Sequence, residues 1–203
     1  MTMPNAVRGN GIFSQTRYLI RRKIFTIMGK KFHVYDAAGN LVGFSKMKAF
    51  KLKEDIRLYT GEDMQTELLT IKARNIIDFS AFYDVVDAPT GQKLGALKRR
   101  GMKSMLKDEW LILDASDREI GMIEEDNWAL ALVRRFVEIA SLFLPQKYLV
   151  KFGGAPVAEF KQNFNPFVYK LNLDFSADQA GRLDKRLGLA AAILLAGIEG
   201  KQK

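Results

Sequence analysis

The stretch LDKRLGLAAAILLAGIEGKQK, Leu183 to Lys203, decides which fold the rest of the chain is expected to adopt. Its uncharged run covers 12 residues, 187–198, whereas a helix that crosses a bilayer needs about 20 apolar residues. The run is also apolar all round, which is not the pattern of a half-exposed helix. Two glycines and four alanines keep it thin. The sequence therefore predicts a slim helix enclosed on all sides, such as one inside a β-barrel.

One hairpin pattern occurs four times in the preceding sequence. Each copy has apolar residues at every second position and Asp or Gly at a turn, which is typical of two antiparallel strands. The copies are FHVYDAAGNLVG (32–43), YDVVDAPTGQKLG (83–95), WLILDASDREIG (110–121) and the degenerate YLVKFGGAPVAEF (148–160). Further strands are predicted at KIFTIM (23–28), DIRLYT (55–60), ELLTIKA (67–73) and FVYKLNLDF (167–175). We expect a mainly β protein, a closed antiparallel barrel of about twelve strands without exposed edges.

A second helix is predicted at 126–144, DNWALALVRRFVEIASLFL, which has a polar start and Pro145 as its stop. Trp128, Leu132 and Phe136 lie on one face of this helix. We expect it to pack against the outside of the barrel. An amphipathic helix on a membrane surface is the alternative, because two arginines flank its apolar face.

Together with the ending NPFVYKLNLDFSADQAGRLDKRLGLAAAILLAGIE (165–199), the hairpin motifs resemble the tubby C-terminal superfamily. More narrowly, the chain resembles the LURP-one-related and phospholipid-scramblase-like branch. This resemblance extends over roughly residues 23–199. It implies a soluble barrel with the last helix inside. It also implies a connection with membranes, since tubby domains bind phosphoinositide headgroups and scramblase relatives are associated with membranes and Ca²⁺.

The sequence predicts a single barrel domain at 23–199, including a central helix at about 178–199. Residues 1–22 are expected to form an N-terminal extension and residues 200–203 a tail. The chain has no cysteine, which is compatible with a reducing cytosol. Its first residues lack the apolar core of a signal peptide. We therefore expect a cytoplasmic protein, with the possibility of peripheral attachment to a membrane.

Catalytic chemistry has little support in the sequence. The single histidine, His33, lies in a strand and is expected on the surface, and none of the common nucleophile, phosphate-loop or zinc-helix motifs occurs. Asp174, Asp178 and Asp184 precede the last helix and could supply oxygen ligands to a metal ion. Helix capping by Asp178 or Ser176 is the preferred interpretation. The sequence predicts no catalytic residue, no metal site and no cofactor.

Basic residues give the chain a net charge of +9 and a pI of about 9.7, which favours polyanionic partners. The best candidate site is GALKRRGMKSMLK (95–107), where methionines and a leucine lie between the cations. Such a loop could contact both anionic headgroups and the acyl boundary of a membrane. The alternative is that the methionines are core and the cations only solvated. The candidate residues are Lys98, Arg99, Arg100, Lys103 and Lys107.

The sequence thus favours a non-enzymatic binding module that associates with anionic lipid headgroups. Binding of nucleic acid or of an acidic protein through the same cations is the alternative. Enzymatic activity ranks last. The ligand and the oligomeric state are not predicted.

Overall fold

Twelve antiparallel strands form a closed barrel in the computed structural model of the protein. The structure describes residues 11–23, 29–47, 55–77, 80–100, 109–126, 146–163, 165 and 167–198. The first six strands are β1 (Arg17–Lys23), β2 (Lys30–Asp36), β3 (Leu41–Met47), β4 (Ile56–Tyr59), β5 (Glu67–Ile77) and β6 (Ser80–Asp87). The other six are β7 (Lys93–Arg99), β8 (Glu109–Leu113), β9 (Glu119–Glu125), β10 (Lys147–Phe152), β11 (Ala155–Asn163) and β12 (Val168–Asp174).

Each strand pairs with its neighbours in the sequence, and β1 closes the sheet by pairing with β12. The predicted closed β-barrel is thereby confirmed. Closure pairs every strand on both sides, so no edge with unpaired backbone groups remains.

All four repeated motifs form hairpins, β2–β3, β6–β7, β8–β9 and β10–β11. The aspartate of the motif stabilises its turn through local hydrogen bonds. The Asp36 carboxylate accepts from the backbone of Asn40 at 2.8 Å, and that of Asp114 accepts from Ser116 at 2.8 Å. The motif glycine has a packing role, because a side chain at Gly95 would overlap the carbonyl oxygen of Leu113.

The apolar ending forms helix α1 (Lys185–Ile198) inside the barrel, as predicted. Its residues 187–197 are all buried, and it contacts β7, β12, β1 and β5. Small residues are needed because the walls are close. A Cβ atom added at Gly188 would lie 2.5 Å from the Phe175 ring, and one added at Gly197 would lie 2.6 Å from the Met47 methyl group.

The helix begins at Lys185, later than the predicted start at about 178. Asp178 instead holds a turn, because its carboxylate accepts hydrogen bonds from the backbone of Arg182 and Leu183 at 2.9 and 2.8 Å. Asp184 caps the helix by accepting from the Arg186 backbone at 2.9 Å. The capping function was predicted, but for Asp178 or Ser176, which lie too early in the chain.

The barrel begins at Arg17 and so includes residues 17–22, which the sequence assigns to the N-terminal extension. Tyr18 and Ile20 point into the core, whereas Arg17 and Arg21 are exposed. This strict alternation is a strand pattern, and the three arginines of the segment obscure it. Most of the predicted strand 23–28 and of the predicted outer helix 126–144 lies outside the described residues.

The barrel has two ends that differ in their connections. The turns of the four hairpins and the β4–β5 loop lie at one end, here called the hairpin end. At the opposite end, here called the distal end, β1 ends and β2 begins, and β11 ends and β12 begins. Helix α1 runs between them, since Arg186 pairs with Asp87 at the hairpin end at 3.2 Å. At the distal end, the Lys30 ammonium donates to the Gly197 carbonyl at 2.8 Å.

Candidate functional site

The structure describes three of the predicted site residues, and they differ in the face on which they lie and in their partners. Lys98 is exposed on the outer face of β7, where it lies opposite Phe82 and Leu111. Arg99 is the next residue, so it lies on the inner face, half-buried and opposite Trp110. Arg100 follows the strand and pairs with Glu109 at 3.3 Å. Lys103 and Lys107 lie outside the described residues.

Lys98 stands beside a small apolar cluster on the outer face of the barrel, separate from the core. Ala96, Leu111 and Leu113 are buried in this cluster, and Phe82 and Met122 pack against them. These are not the apolar residues predicted to lie between the cations, Met102, Met105 and Leu106, which are outside the described residues. The described residues show one cation there, however, and not a cluster.

A larger group of cations lies on the outer face near the distal end, on strands β11, β12, β1, β2 and β3. We call it the cationic face. Its strands are consecutive around the barrel, and strands in a sheet are about 4.8 Å apart. In β1, β2, β3 and β12 the acids are Asp36 and Asp174, both at the hairpin end. The residues of the cationic face are Arg21, Lys31, Lys46, Lys161 and Lys170.

Two like-charge pairs form the centre of the cationic face. Lys31 lies directly opposite Lys46, and Arg21 lies directly opposite Lys170. Side chains in such positions have Cβ atoms about 5 Å apart, and like charges there are destabilising. Within the described part of the chain, no residue of the cationic face forms an ion pair with an acid. Among the described residues, no acid therefore compensates the repulsion between these charges.

Several cations elsewhere on the barrel are compensated by acids. The Arg74 guanidinium donates to Asp84 and Asp117, and these hydrogen bonds raise the pKa of Arg74. Lys147 pairs with Asp126 at 2.9 Å and with Glu159 at 3.2 Å. In the part of the chain that the structure describes, acids thus pair with many of the surface cations but with none of the cationic face.

A shallow groove of about 560 Å³ borders the cationic face on β12, β1 and the β2–β3 turn. Arg21 lies in it with its guanidinium 5.6 Å from the centre of the Tyr35 ring. Asn172 and the ion pair between Arg17 and Asp174, 3.0 Å long, line it as well. The groove thus offers a cation, an aromatic ring, an amide and a carboxylate next to one another. This set can bind a polar group that carries both hydroxyls and a negative charge.

The three aspartates before helix α1 accept hydrogen bonds from backbone N–H groups. Asp174 accepts from Ser176, and Asp178 and Asp184 accept from the backbone as described above. Among the residues that the structure describes, no three His, Cys, Asp or Glu side chains are grouped to hold a metal ion. His33 bonds to Glu62 at 2.7 Å. In the described part of the chain, no helix is long and apolar enough to cross a bilayer.

The cationic face could be found only in part from the sequence. The basic run from Arg17 to Lys31, followed by Lys46, is visible there, and alternation places Arg21 and Lys31 on one face. Lys161 and Lys170 are far away in the chain, and barrel closure between β1 and β12 brings them alongside.

A family model described as LURP-one-related matches residues 41–196, from β3 to helix α1. The chain belongs to the LURP-one-related family. Neither the curated proteins nor the solved structures gave a match. The part matched to the LURP-one-related family contains Lys46, Lys161 and Lys170, whereas Arg21 and Lys31 lie before it.

Proposed function

We propose that the protein is a non-enzymatic binding domain that attaches to anionic membrane surfaces through its cationic face. The observation that carries this proposal is the juxtaposition of Lys31 with Lys46 and of Arg21 with Lys170. Opposed like charges weaken a sheet, and a bound anion would remove the repulsion. Membership of the LURP-one-related family supports a binding domain, and the resemblance to tubby domains and scramblases supports lipid as the ligand.

The expected strength follows from the number of cations. Each Lys or Arg near an anionic surface contributes about 1 kcal/mol, so five contribute about 5 kcal/mol at most. That energy favours an anionic over a neutral surface by roughly a thousandfold. The cytoplasmic leaflet carries a negative surface potential. We therefore expect a cytoplasmic protein, bound peripherally to that leaflet and released by high salt.

Nucleic acid and an acidic protein are the competing partners. The cationic face consists of strand side chains on a convex barrel, and no described helix lies on it that could enter a nucleic-acid groove. A membrane surface fits this geometry better. The group Lys98, Arg99, Arg100, Lys103 and Lys107 remains a prediction for an additional contact with the same surface.

Co-sedimentation with vesicles tests the proposal. The protein should bind vesicles that contain phosphatidylserine at low salt and should not bind vesicles of phosphatidylcholine alone. Changing Arg21, Lys31 and Lys46 to Ala should reduce binding at least tenfold, because about 3 kcal/mol of attraction is lost. Changing Lys98 and Arg100 to Ala measures the contribution of the second group. Lys72→Ala, an exposed lysine on β5, is the control.

Absence of binding to phosphatidylserine at low salt would refute the proposal. Binding of duplex DNA or RNA with a steep salt dependence, and no binding of vesicles, would favour the nucleic-acid alternative. Equal losses for the triple variant and for Lys72→Ala would mean that the cationic face has no special part in binding.

A further inference from the structure

Phe167 is the most exposed large apolar side chain in the described part of the chain. It is 70% exposed, compared with 42% for Met64 and 39% for Leu41. Phe167 lies at the distal end, where the chain passes from β11 to β12, whereas Met64 and Leu41 lie at the hairpin end. A single exposed apolar residue is common on proteins. Its exposure therefore indicates a binding role only if the neighbouring residues support one.

The backbone holds Phe167 in this exposed position. The Asn165 side-chain oxygen accepts hydrogen bonds from the backbone of Phe167 and of Val168, both at 2.9 Å. Asparagine commonly fixes turns in this way. These hydrogen bonds hold the backbone of Phe167 and Val168, so little of their backbone freedom would be lost when the phenyl ring contacts a partner.

Phe167 directly precedes the strand that carries the cationic face. Lys170 is three residues further along β12, about 10 Å away, and Arg21 lies opposite it on β1. An aromatic ring beside cations is the combination found where proteins contact the headgroup region of a bilayer. At the hairpin end, by contrast, Met64 lies next to the acidic residues Glu62 and Asp63.

A buried cation lies on the inner face of the barrel where the end of β1 is next to the start of β12, a place here called the β1–β12 corner. Arg22 is only 4% exposed, lies opposite Tyr169, and has its guanidinium 5.2 Å from the centre of that ring. Its Nε atom has no hydrogen-bond partner among the described residues, and burial lowers the pKa of Arg22. A buried charge without an acidic partner is costly.

We infer that the β1–β12 corner of the distal end enters the membrane interface, with Phe167 inserted at the level of the headgroups and the cationic face on the anionic lipid surface. The hairpin end then points away from the membrane. This inference rests on the proposed function, and it adds an orientation and an apolar contact to it. The partner is a bilayer that contains anionic phospholipid.

A first experiment compares Phe167→Ala with Leu41→Ala and Met64→Ala in co-sedimentation with vesicles of equal parts phosphatidylserine and phosphatidylcholine. Removing a phenyl ring that inserts should weaken binding about tenfold. The two control variants remove less exposed apolar side chains from the hairpin end, at 39% and 42% exposure, and should bind like the parent. Phe167→Leu should recover most of the loss, because an apolar side chain is restored.

A second experiment uses the absence of cysteine in the chain. The variants Phe167→Cys and Leu41→Cys, each labelled with an environment-sensitive dye, report the polarity at the two ends. Addition of the same vesicles should shift the emission to the blue only for the dye at 167. Insertion also predicts that nitroxide-labelled lipids quench this dye more strongly than the dye at 41.

The outcomes separate the inference from the proposed function. If the parent binds phosphatidylserine vesicles but the dye at 167 is neither shifted nor quenched, the orientation is wrong and the function stands. If the parent does not bind these vesicles at low salt, both are wrong. A blue shift that depends on protein concentration without vesicles would show that Phe167 contacts a second protein copy, and would overturn the membrane contact.

Discussion

The two ends of the barrel differ in how their charges are balanced. At the hairpin end, the acids and bases form ion pairs, such as Arg186 with Asp87 and Lys93 with Asp117. Near the distal end, the cationic face places Lys31 against Lys46 and leaves both without an acid in the described part of the chain. The first arrangement stabilises the fold. The second weakens a sheet, and the anion binding proposed above would remove that repulsion.

The difference indicates which charged residues of this barrel have a structural role and which are candidates for binding. The repeated aspartates form turns, and hydrogen bonds hold the pKa of Asp36 and of Asp114 below its usual range. Each charge at these turns has a local structural role. The cationic face follows no such local rule, and departures from local consistency are typical of binding sites.

The largest expected effect is on folding and follows from removal of helix α1, which extends from one end of the barrel to the other. Deleting Leu187–Lys203 removes the filling of the barrel, so we expect no cooperative thermal unfolding transition by circular dichroism and little soluble protein. Deleting only the tail, residues 200–203, is the control and should leave the transition unchanged. A folded, soluble protein without the helix would contradict the position of α1 in the core.

A change at the hairpin end should reduce stability without affecting the distal surface. Gly95→Ala forces a Cβ atom onto the Leu113 carbonyl oxygen and the Leu187 side chain, and overpacking of this kind costs about 2 kcal/mol. Urea denaturation measures the loss, and vesicle binding of the folded variant should be unchanged. Gly11→Ala is the control, because its added Cβ meets nothing within 4 Å.

The cationic face should show opposite effects on stability and binding. Lys46→Glu turns the repulsion with Lys31 into attraction, so the free energy of unfolding should rise by about 0.5 kcal/mol, while binding to phosphatidylserine vesicles should fall. Lys72→Glu carries the same charge change but lies opposite Asp84, so it should lower stability. If Lys46→Glu destabilises the protein as well, the two lysines do not repel.

The smallest effect concerns acid pH at the hairpin end. Hydrogen bonds from Arg74 and Lys93 lower the pKa of Asp117 to about 2, below the usual value of about 3.9. A depressed pKa stabilises the fold above the unfolded-state value, and this contribution is lost as the pH falls towards 2. Asp117→Asn should therefore flatten the fall in stability between about pH 4 and pH 2. Denaturation curves across this range check the prediction.

Much of the fold was predictable because its signals are local. The alternation of Phe32 and Val34, a turn aspartate and a following glycine specify a hairpin within a dozen residues. The candidate site was less predictable. Lys98, Arg99 and Arg100 are adjacent in the chain, but a strand sends successive side chains to opposite faces, and Glu109 neutralises Arg100.

The sequence by itself determined the strands after β1, their hairpins and the burial of the last helix, because periodicity and small residues express these features over short distances. Only the tertiary structure decided that Arg21 lies beside Lys170 and that Arg22 is buried on Tyr169. These contacts depend on the register between β1 and β12, the first and last strands. No local pattern encodes that register, because it results from closing the whole sheet around helix α1.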